Sequence, residues 1–325
     1  MRFSGTQRFS CALRRDPLAP SPPIGQAAPM RVFVTGASGF VGRRLLPRLR
    51  EAGHEAIGAD REIDVTQPDM IGDALSSYGP DAIIHLAAMS SVAQSWREPE
   101  RCFQMNFTGT RTLLEAVSER CPEARLLLIG SADQYLATSP QAKPMDESTP
   151  LRPRSPYART KAAAELLGQR AAERGLDVVR IRAFNHTGAG QSDDFVASSF
   201  ARQVAAIKAG RQAPILRVGN LESVRDFLHV DDVISAYLAL LAPSVPADVY
   251  HVAGEMATPI KHVLDQLLTI GGVEAQVETD PDRFRPTDWL VGDASRLRAA
   301  TDWQPTVELK AILEELYRDW LERDA

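Results

Sequence analysis

Cysteine is scarce in this chain. Cys11, Cys102 and Cys121 are the whole supply, odd in number and without C-x-x-C spacing, so neither a disulfide framework nor a zinc site is indicated and a reducing, cytoplasmic setting is expected. Long apolar runs are missing as well. The longest, such as Ala236 to Pro243, fall far short of the roughly 18 residues a bilayer span requires, so no membrane partner is expected. Nor is there an excess of basic residues: 37 Lys and Arg stand against 42 Asp and Glu, for a net charge of −5. The broad basic surface that phosphate-backbone binding needs is absent, which argues against nucleic acid. Aromatics are only 6%, yet hydrophobic residues reach 44% and charged ones 24% over 325 residues, an ordinary globular balance with enough chain for a sizeable core and roughly two domains.

Residues 1–29 depart from this average. Arg2, Arg8, Arg14 and Arg15 face one acid, Asp16, and a proline-rich run follows from Pro17 to Pro29. No apolar stretch there is long enough for a secretory signal core. The reading is a disordered tail or an upstream start with Met30 as the working beginning, with an organelle transit peptide as the alternative. Without the tail the remaining chain carries −8, so any anion site must be a local arrangement.

From Met30 the pattern is regular. A short β-branched run, Arg31 to Thr35, leads into Gly36-Ala37-Ser38-Gly39-Phe40-Val41-Gly42 and a helix ending at Gly53. Further strands are expected at Glu55 to Ala59, Asp81 to Leu86, Arg125 to Ile129 and Asp177 to Ile181, with helices at about Thr108 to Arg120 and Tyr157 to Arg174. Alternation of this kind predicts an α/β fold, a Rossmann-type doubly wound parallel sheet. After Arg182 a looser texture, with a loop-like Asn185 to Asp194, a helix at Phe195 to Ala209 and a mixed segment from Val273 to Leu297, predicts a smaller C-terminal α/β domain, while a helix at Asp231 to Leu241 returns to the sheet. The expected division is 30–183 plus about 226–253 for dinucleotide binding, and about 184–225 plus 254–325 for the substrate.

Glycines at 36, 39 and 42 between a strand and a helix suit a tight turn, close approach of a pyrophosphate to backbone N–H groups, and close helix packing. The G-x-x-G-x-x-G spacing differs from the usual G-x-G-x-x-G. Gly36, Ser38, Gly39, Phe40, Val41 and Gly42 are therefore candidate cofactor contacts. Asp60, ending the second strand, can accept from adenosine ribose hydroxyls and favours NAD(H). The adjacent Arg61 could answer a 2′-phosphate and keeps NADP(H) open. Asp64 and Val65 are placed beside the adenine, or in a surface turn.

Tyr157 and Lys161 lie at i and i+4 on one helical face, after a Ser155-Pro156 helix start and downstream of Ser131 at a strand end. A lysine cation beside a phenol, joined by an oxidised nicotinamide, should pull the Tyr157 pKa toward neutrality. Tyr157 can then exchange a proton with a carbonyl or alcohol, while Ser131 donates to the same oxygen.

These residues resemble the extended short-chain dehydrogenase/reductases, the NAD-dependent epimerase/dehydratase family acting on nucleotide sugars. The resemblance runs from Met30 to Leu321 through Thr35 to Gly42, His85-Leu86-Ala87-Ala88, Asn106-Phe107-Thr108-Gly109-Thr110, Ser131, Tyr157 with Lys161, and Arg285-Pro286-Thr287-Asp288. It implies that Leu86, Ala87 and Ala88 line the cofactor and that Asn106 supports the active-site backbone. Phe184 to Gly188, Val218 to Glu222 and Arg225-Asp226-Phe227 are most similar to the GDP-mannose branch and its GDP-6-deoxy-4-keto-mannose reductases. Reduction of the C4 ketone of a GDP-4-keto-6-deoxy-hexose to give GDP-D-rhamnose is the function implied. Arg225 and Arg285 would then hold the diphosphate, Asn185 a phosphate or sugar oxygen, and Asp288 and Glu222 a ribose or base. His186 is read as structural.

A 4-epimerase and a GDP-mannose 4,6-dehydratase remain alternatives, since all three reactions use the same triad. Dehydratases of this family usually carry glutamate where Asp133 stands, one methylene longer, and Ala132 has no proton to move. A nicotinamide-sensing regulator would be expected to lose the phenol or the lysine, and both are present. A homodimer is implied through the helices at 108–120 and 157–174, whose spare faces include Ala162, Ala163, Ala164, Leu166 and Leu167.

Overall fold

The computed structural model describes residues 29–136, 143–281 and 288–323. The tail up to residue 28 and the segment holding Arg285, Pro286 and Thr287 lie outside them. In chain order the central elements are β1 (Arg31–Thr35), α1 (Phe40–Glu51), β2 (Glu55–Ala59), α2 (Pro68–Tyr78), β3 (Ala82–His85), α3 (Gly109–Arg120), β4 (Arg125–Ser131), α4 (Pro156–Glu173), β5 (Val178–Ala183), α5 (Val196–Lys208), α6 (Val230–Leu240) and β6 (Val249–Val252). The last helices are α7 (Ile260–Gly271) and α8 (Leu309–Arg323).

The six strands form one sheet in the order β6-β5-β4-β3-β1-β2, and every pairing is parallel. This is the expected doubly wound sheet. Strand alternation decides which side chain feeds which face. Val32 and Val34 of β1 join Leu45, Leu49, Val233 and Ile234 on one side, whereas Phe33 joins Ile71, Leu75, Leu113 and Val117 on the other. Strand order reverses between β1 and β3, successive strands being added on opposite sides of that point, so a crevice opens beyond their carboxyl ends, where such folds bind ligands.

Local signals set the helix ends. Ser155 accepts the Ala158 N–H ahead of α4, a cap that contributes about 1 kcal/mol, and Pro156 occupies the first turn, where no N–H is missed. Gly79 ends α2 with a left-handed φ of 57°. Before α3 the chain makes a π-helical turn, Gln104–Thr108, in which the Gly109 N–H reaches back to Gln104 O. A separate core gathers Phe200, Val204, Leu264, Leu267, Leu313 and Leu316 from α5, α7 and α8. Two short strands, Val224–Arg225 and Trp289–Leu290, pair in parallel beside it and bring Arg225 next to Asp288. Among the described residues, no helix is long and apolar enough to cross a membrane.

Candidate active site

The glycine turn follows β1 directly. Gly36 has a φ of +70°, and a Cβ there would lie 2.7 Å from Ala87 N, so the turn after β1 and the turn after β3 pack backbone against backbone. At Gly42 a Cβ would meet Ala37 O at 2.5 Å and Gly36 O at 2.6 Å. The first bond within α1 is Arg43 N–H to Gly39 O, which leaves the N–H groups of Phe40, Val41 and Gly42 without partners inside the helix. No carboxylate occupies the first turn. A helix start with a glycine N-cap, no side-chain cap and no acid in its first turn fits a pyrophosphate, so the residues present suit a dinucleotide.

Around this turn the sequence expectations divide. Leu86, Ala87 and Ala88 are half-buried beside Gly36. The Asp60 carboxylate accepts the Ser38 N–H at 2.8 Å, so it braces the turn it was expected to serve. Arg61 is exposed. Asp64 is bonded to the N–H and hydroxyl of Thr66, a local turn. Val65 is packed in the core at 4% exposure, and a Cβ on Gly109 would touch its Cγ2 at 2.9 Å. His186 stacks on Phe40 with ring centroids 6.4 Å apart and bonds Phe184 O through Nδ1, a packed role as read.

Ser131 ends β4, two residues beyond the strand read from sequence. Its hydroxyl oxygen accepts the Asp133 N–H at 3.1 Å, and the side chain lies close enough to the Tyr157 phenol to favour its ionised form. With a donor already on its oxygen, Ser131 has its own proton left to give. Tyr157 is 7% exposed. Burial pushes its phenol well above the ordinary value, and the Asp133 charge pushes the same way. This is the direction without the nicotinamide charge on which the expected lowering depends, and the Lys161 Nζ is aimed at Ile129 O, 2.8 Å away. A phenol so raised is protonated at neutral pH, the form a proton donor needs. Burial draws Lys161 down to about 8.

A buried network beneath this pair was not anticipated. Gln134 accepts the Ser131 N–H through Oε1 at 2.9 Å and donates through Nε2 to Glu165 at 2.6 Å, so partners at both ends fix its amide orientation. Glu165 is one turn beyond Lys161 on α4 and pairs with Arg182 of β5 at 2.5 Å. Arg182 donates to the Tyr135 hydroxyl and to Glu147 O, and Tyr135 meets His251 Nε2 at 2.6 Å. The i+4 step from Lys161 to Glu165 was the available signal. Asn106, 1% exposed, bonds both backbone groups of Met89 and the Thr160 hydroxyl.

Across the crevice, Arg225 chelates Asp288 through two bonds of 2.6 and 2.8 Å. Asp133 is close enough for both charges to act on it, and burial raises its pKa. Asn185 opens a short strand that pairs with Phe227–His229. Glu222 is exposed. Asp226 is fully buried and accepts the N–H groups of Gly254, Glu255 and Gly292, which makes it a structural anchor beside Arg225.

A glycine-turn sheet with a Ser-Tyr-Lys cluster at its carboxyl edge has relatives. The model of the NAD dependent epimerase/dehydratase family matches residues 32–253. The chain belongs to that family. Among curated family members, it is 39% identical over 299 residues to the GDP-6-deoxy-D-mannose reductase of Pseudomonas aeruginosa, covering 90% of this chain and 98% of the relative. It is 31% identical to GDP-mannose 4,6 dehydratase 1 of Arabidopsis thaliana, covering 89% of each. In three dimensions it is similar to RMD from Pseudomonas aeruginosa complexed with NADPH, at a TM-score of 0.83 and 39% identity, covering 91% of this chain and 98% of that one.

Proposed function

We propose that this epimerase/dehydratase family member is an NAD(P)H-dependent reductase of the C4 ketone of GDP-4-keto-6-deoxy-mannose, forming GDP-D-rhamnose. The single observation that carries the reading is the placement of Ser131 at the carboxyl end of β4 beside the buried Tyr157 phenol, where a ketone can be polarised by two donors at once. Similarity along nearly the whole length to a GDP-6-deoxy-D-mannose reductase supports the substrate class.

Reduced nicotinamide supplies the hydride when bound. Ser131 donates a hydrogen bond to the ketone oxygen, Tyr157 delivers the proton to that oxygen as negative charge develops, and Lys161 stabilises the phenolate left behind. Ala132 is 2% exposed in the sheet core, and its methyl has no proton to transfer, which favours reduction over dehydration. Arg225 and Arg285 take the diphosphate, Asn185 and Asp133 the sugar side, and Asp288 the ribose. Gly36 to Gly42, Asp60 and the Leu86–Ala88 turn take the dinucleotide.

The partner expected in solution is a second copy. Trp96, Phe103 and Leu166 are 57%, 46% and 48% exposed on or beside α4, and Phe103 stacks on Phe107 at 4.8 Å, an apolar patch suited to helix pairing. Ala164 is not part of it, being buried within the monomer. Sedimentation of the full chain reads this directly.

Incubation with GDP-4-keto-6-deoxy-mannose and stoichiometric NADPH is the test. Loss of nicotinamide absorbance with appearance of a GDP-6-deoxy-hexose is expected, and Tyr157→Phe should lower kcat by about a hundred- to ten-thousand-fold. Cofactor consumption without that product overturns the reading. Interconversion of a GDP- or UDP-hexose without net cofactor use selects a 4-epimerase.

A further inference from the structure

Four buried polar side chains join the cofactor side of the sheet to the catalytic helix. Thr35, His85, Asn106 and Thr110 are each at most 3% exposed, so their hydrogen bonds have to close inside the protein. The direction of each bond can be worked out. A carbonyl oxygen only accepts, so Thr110 gives its one hydroxyl proton to Asn106 O at 2.7 Å. The Thr110 oxygen faces His85 Nε2 at 3.1 Å and is left to accept, which puts the imidazole proton on Nε2. Burial, with the Lys161 charge, holds the ring down to about 3, so it carries that proton alone and Nδ1 is an acceptor. Thr35 donates to Nδ1 at 2.8 Å and accepts the Ala87 N–H at 3.2 Å. The opposite tautomer would set two acceptors against each other at Thr110.

We propose that His85, as the neutral Nε2–H tautomer, is a positioning residue that sets the cofactor-lining turn Leu86–Met89 against the catalytic helix. Both ends of that turn are held by the chain of bonds. Ala87 N is tied to Thr35, and Met89 N and O are tied to Asn106 at 2.8 and 3.1 Å. Asn106 also donates to Thr160 at 3.0 Å, and Thr160 donates to Tyr157 O at 2.7 Å. The two ring nitrogens have different duties. Nδ1 holds the Ala87 turn against Gly36, whereas Nε2 holds the π-helical turn and, through Asn106, the helix of Tyr157.

This inference rests on the dinucleotide-binding part of the proposed function and not on which sugar is reduced. Histidine-selective ¹⁵N spectra of the full chain without ligand, with the six histidines assigned by substitution, are expected to show His85 as an uncharged Nε2–H ring through the neutral pH range. An Nδ1–H or doubly protonated ring overturns the proposal. His85→Gln keeps a donor near Nε2 but loses the Nδ1 acceptor, and NADPH binding followed by fluorescence should weaken about tenfold. His85→Asn keeps an acceptor near Nδ1, and its NADPH affinity should stay within about twofold of the parent. The reverse order, or equal losses that track the melting temperature, overturns it too. NADPH affinities in the expected order with no turnover of the keto sugar would count against the substrate and leave His85 in place.

Discussion

Two arginine–carboxylate pairs flank the same crevice, and their surroundings differ. Arg182 and Glu165 have side chains 7% and 8% exposed, and the arginine's remaining donors go to Tyr135 and Glu147 O. Arg225 and Asp288 are 19% and 31% exposed, and they face Asp133 rather than a closed shell of acceptors. The buried pair is saturated, so it holds the Ser131 turn through Gln134 and has nothing to offer a ligand. The open pair is a bidentate guanidinium whose present partner is a carboxylate, and a diphosphate oxygen offers the same geometry with more charge. Lys161 is a third arrangement, a buried cation whose electrostatics are dominated by desolvation.

Breaking the saturated pair should have the largest effect on the fold. Glu165→Ala leaves Arg182 charged, buried and unpaired, and should destabilise the protein by about 3–5 kcal/mol in urea denaturation. Kinetics would suffer as well, because Gln134 loses the partner that orients it. Arg225→Gln should behave differently. Its urea midpoint should stay near the parent's, since a partly exposed pair contributes little, while KM for the sugar nucleotide rises about 10- to 100-fold through loss of a charge-assisted contact. A large drop in stability for Arg225→Gln would erase the distinction between the two pairs.

Lys161→Met should change stability less than Glu165→Ala does, and in the other direction. Removing a cation that pays for its burial should stabilise the chain at pH 7 by about 1–2 kcal/mol, after the lost hydrogen bond to Ile129 O is set against it. The sign follows from proton binding. Between about 8 in the folded chain and 10.5 in the unfolded one, the unfolded state binds more protons, so the parent gains stability as pH rises through that window. The gap between variant and parent should therefore close from pH 8 to 10.5, as read by thermal or urea unfolding at each pH.

The parallel sheet and the glycine turn were legible because their signals are local. The run Val32 to Thr35, the glycines at 36, 39 and 42, and the i,i+4 step from Tyr157 to Lys161 all lie within one element and its flank. The partners that tune the site come from afar. Arg225 meets Asp288 across 63 residues, and Arg182 reaches Tyr135 across 47, separations at which periodicity carries no information. Tyr157 shows the other limit. A sequence displays the lysine beside the phenol, but the extent of burial, which decides the direction of the shift, emerges only from packing.

The π-helical turn at Gln104–Thr108 acts as a phase adjuster. An α-helix advances about 100° per residue, and the widened turn takes up one extra residue between the segment that carries Cys102 and the helix that buries Leu113 and Val117. That offset lets Asn106 address Met89 and Thr160 while Thr110, four residues on, still meets His85. Removing a single residue there would restore ordinary helical rhythm and swing the asparagine amide away by about a quarter of a turn or more. Length in this short stretch is thus as much a part of the site's chemistry as the identity of its side chains.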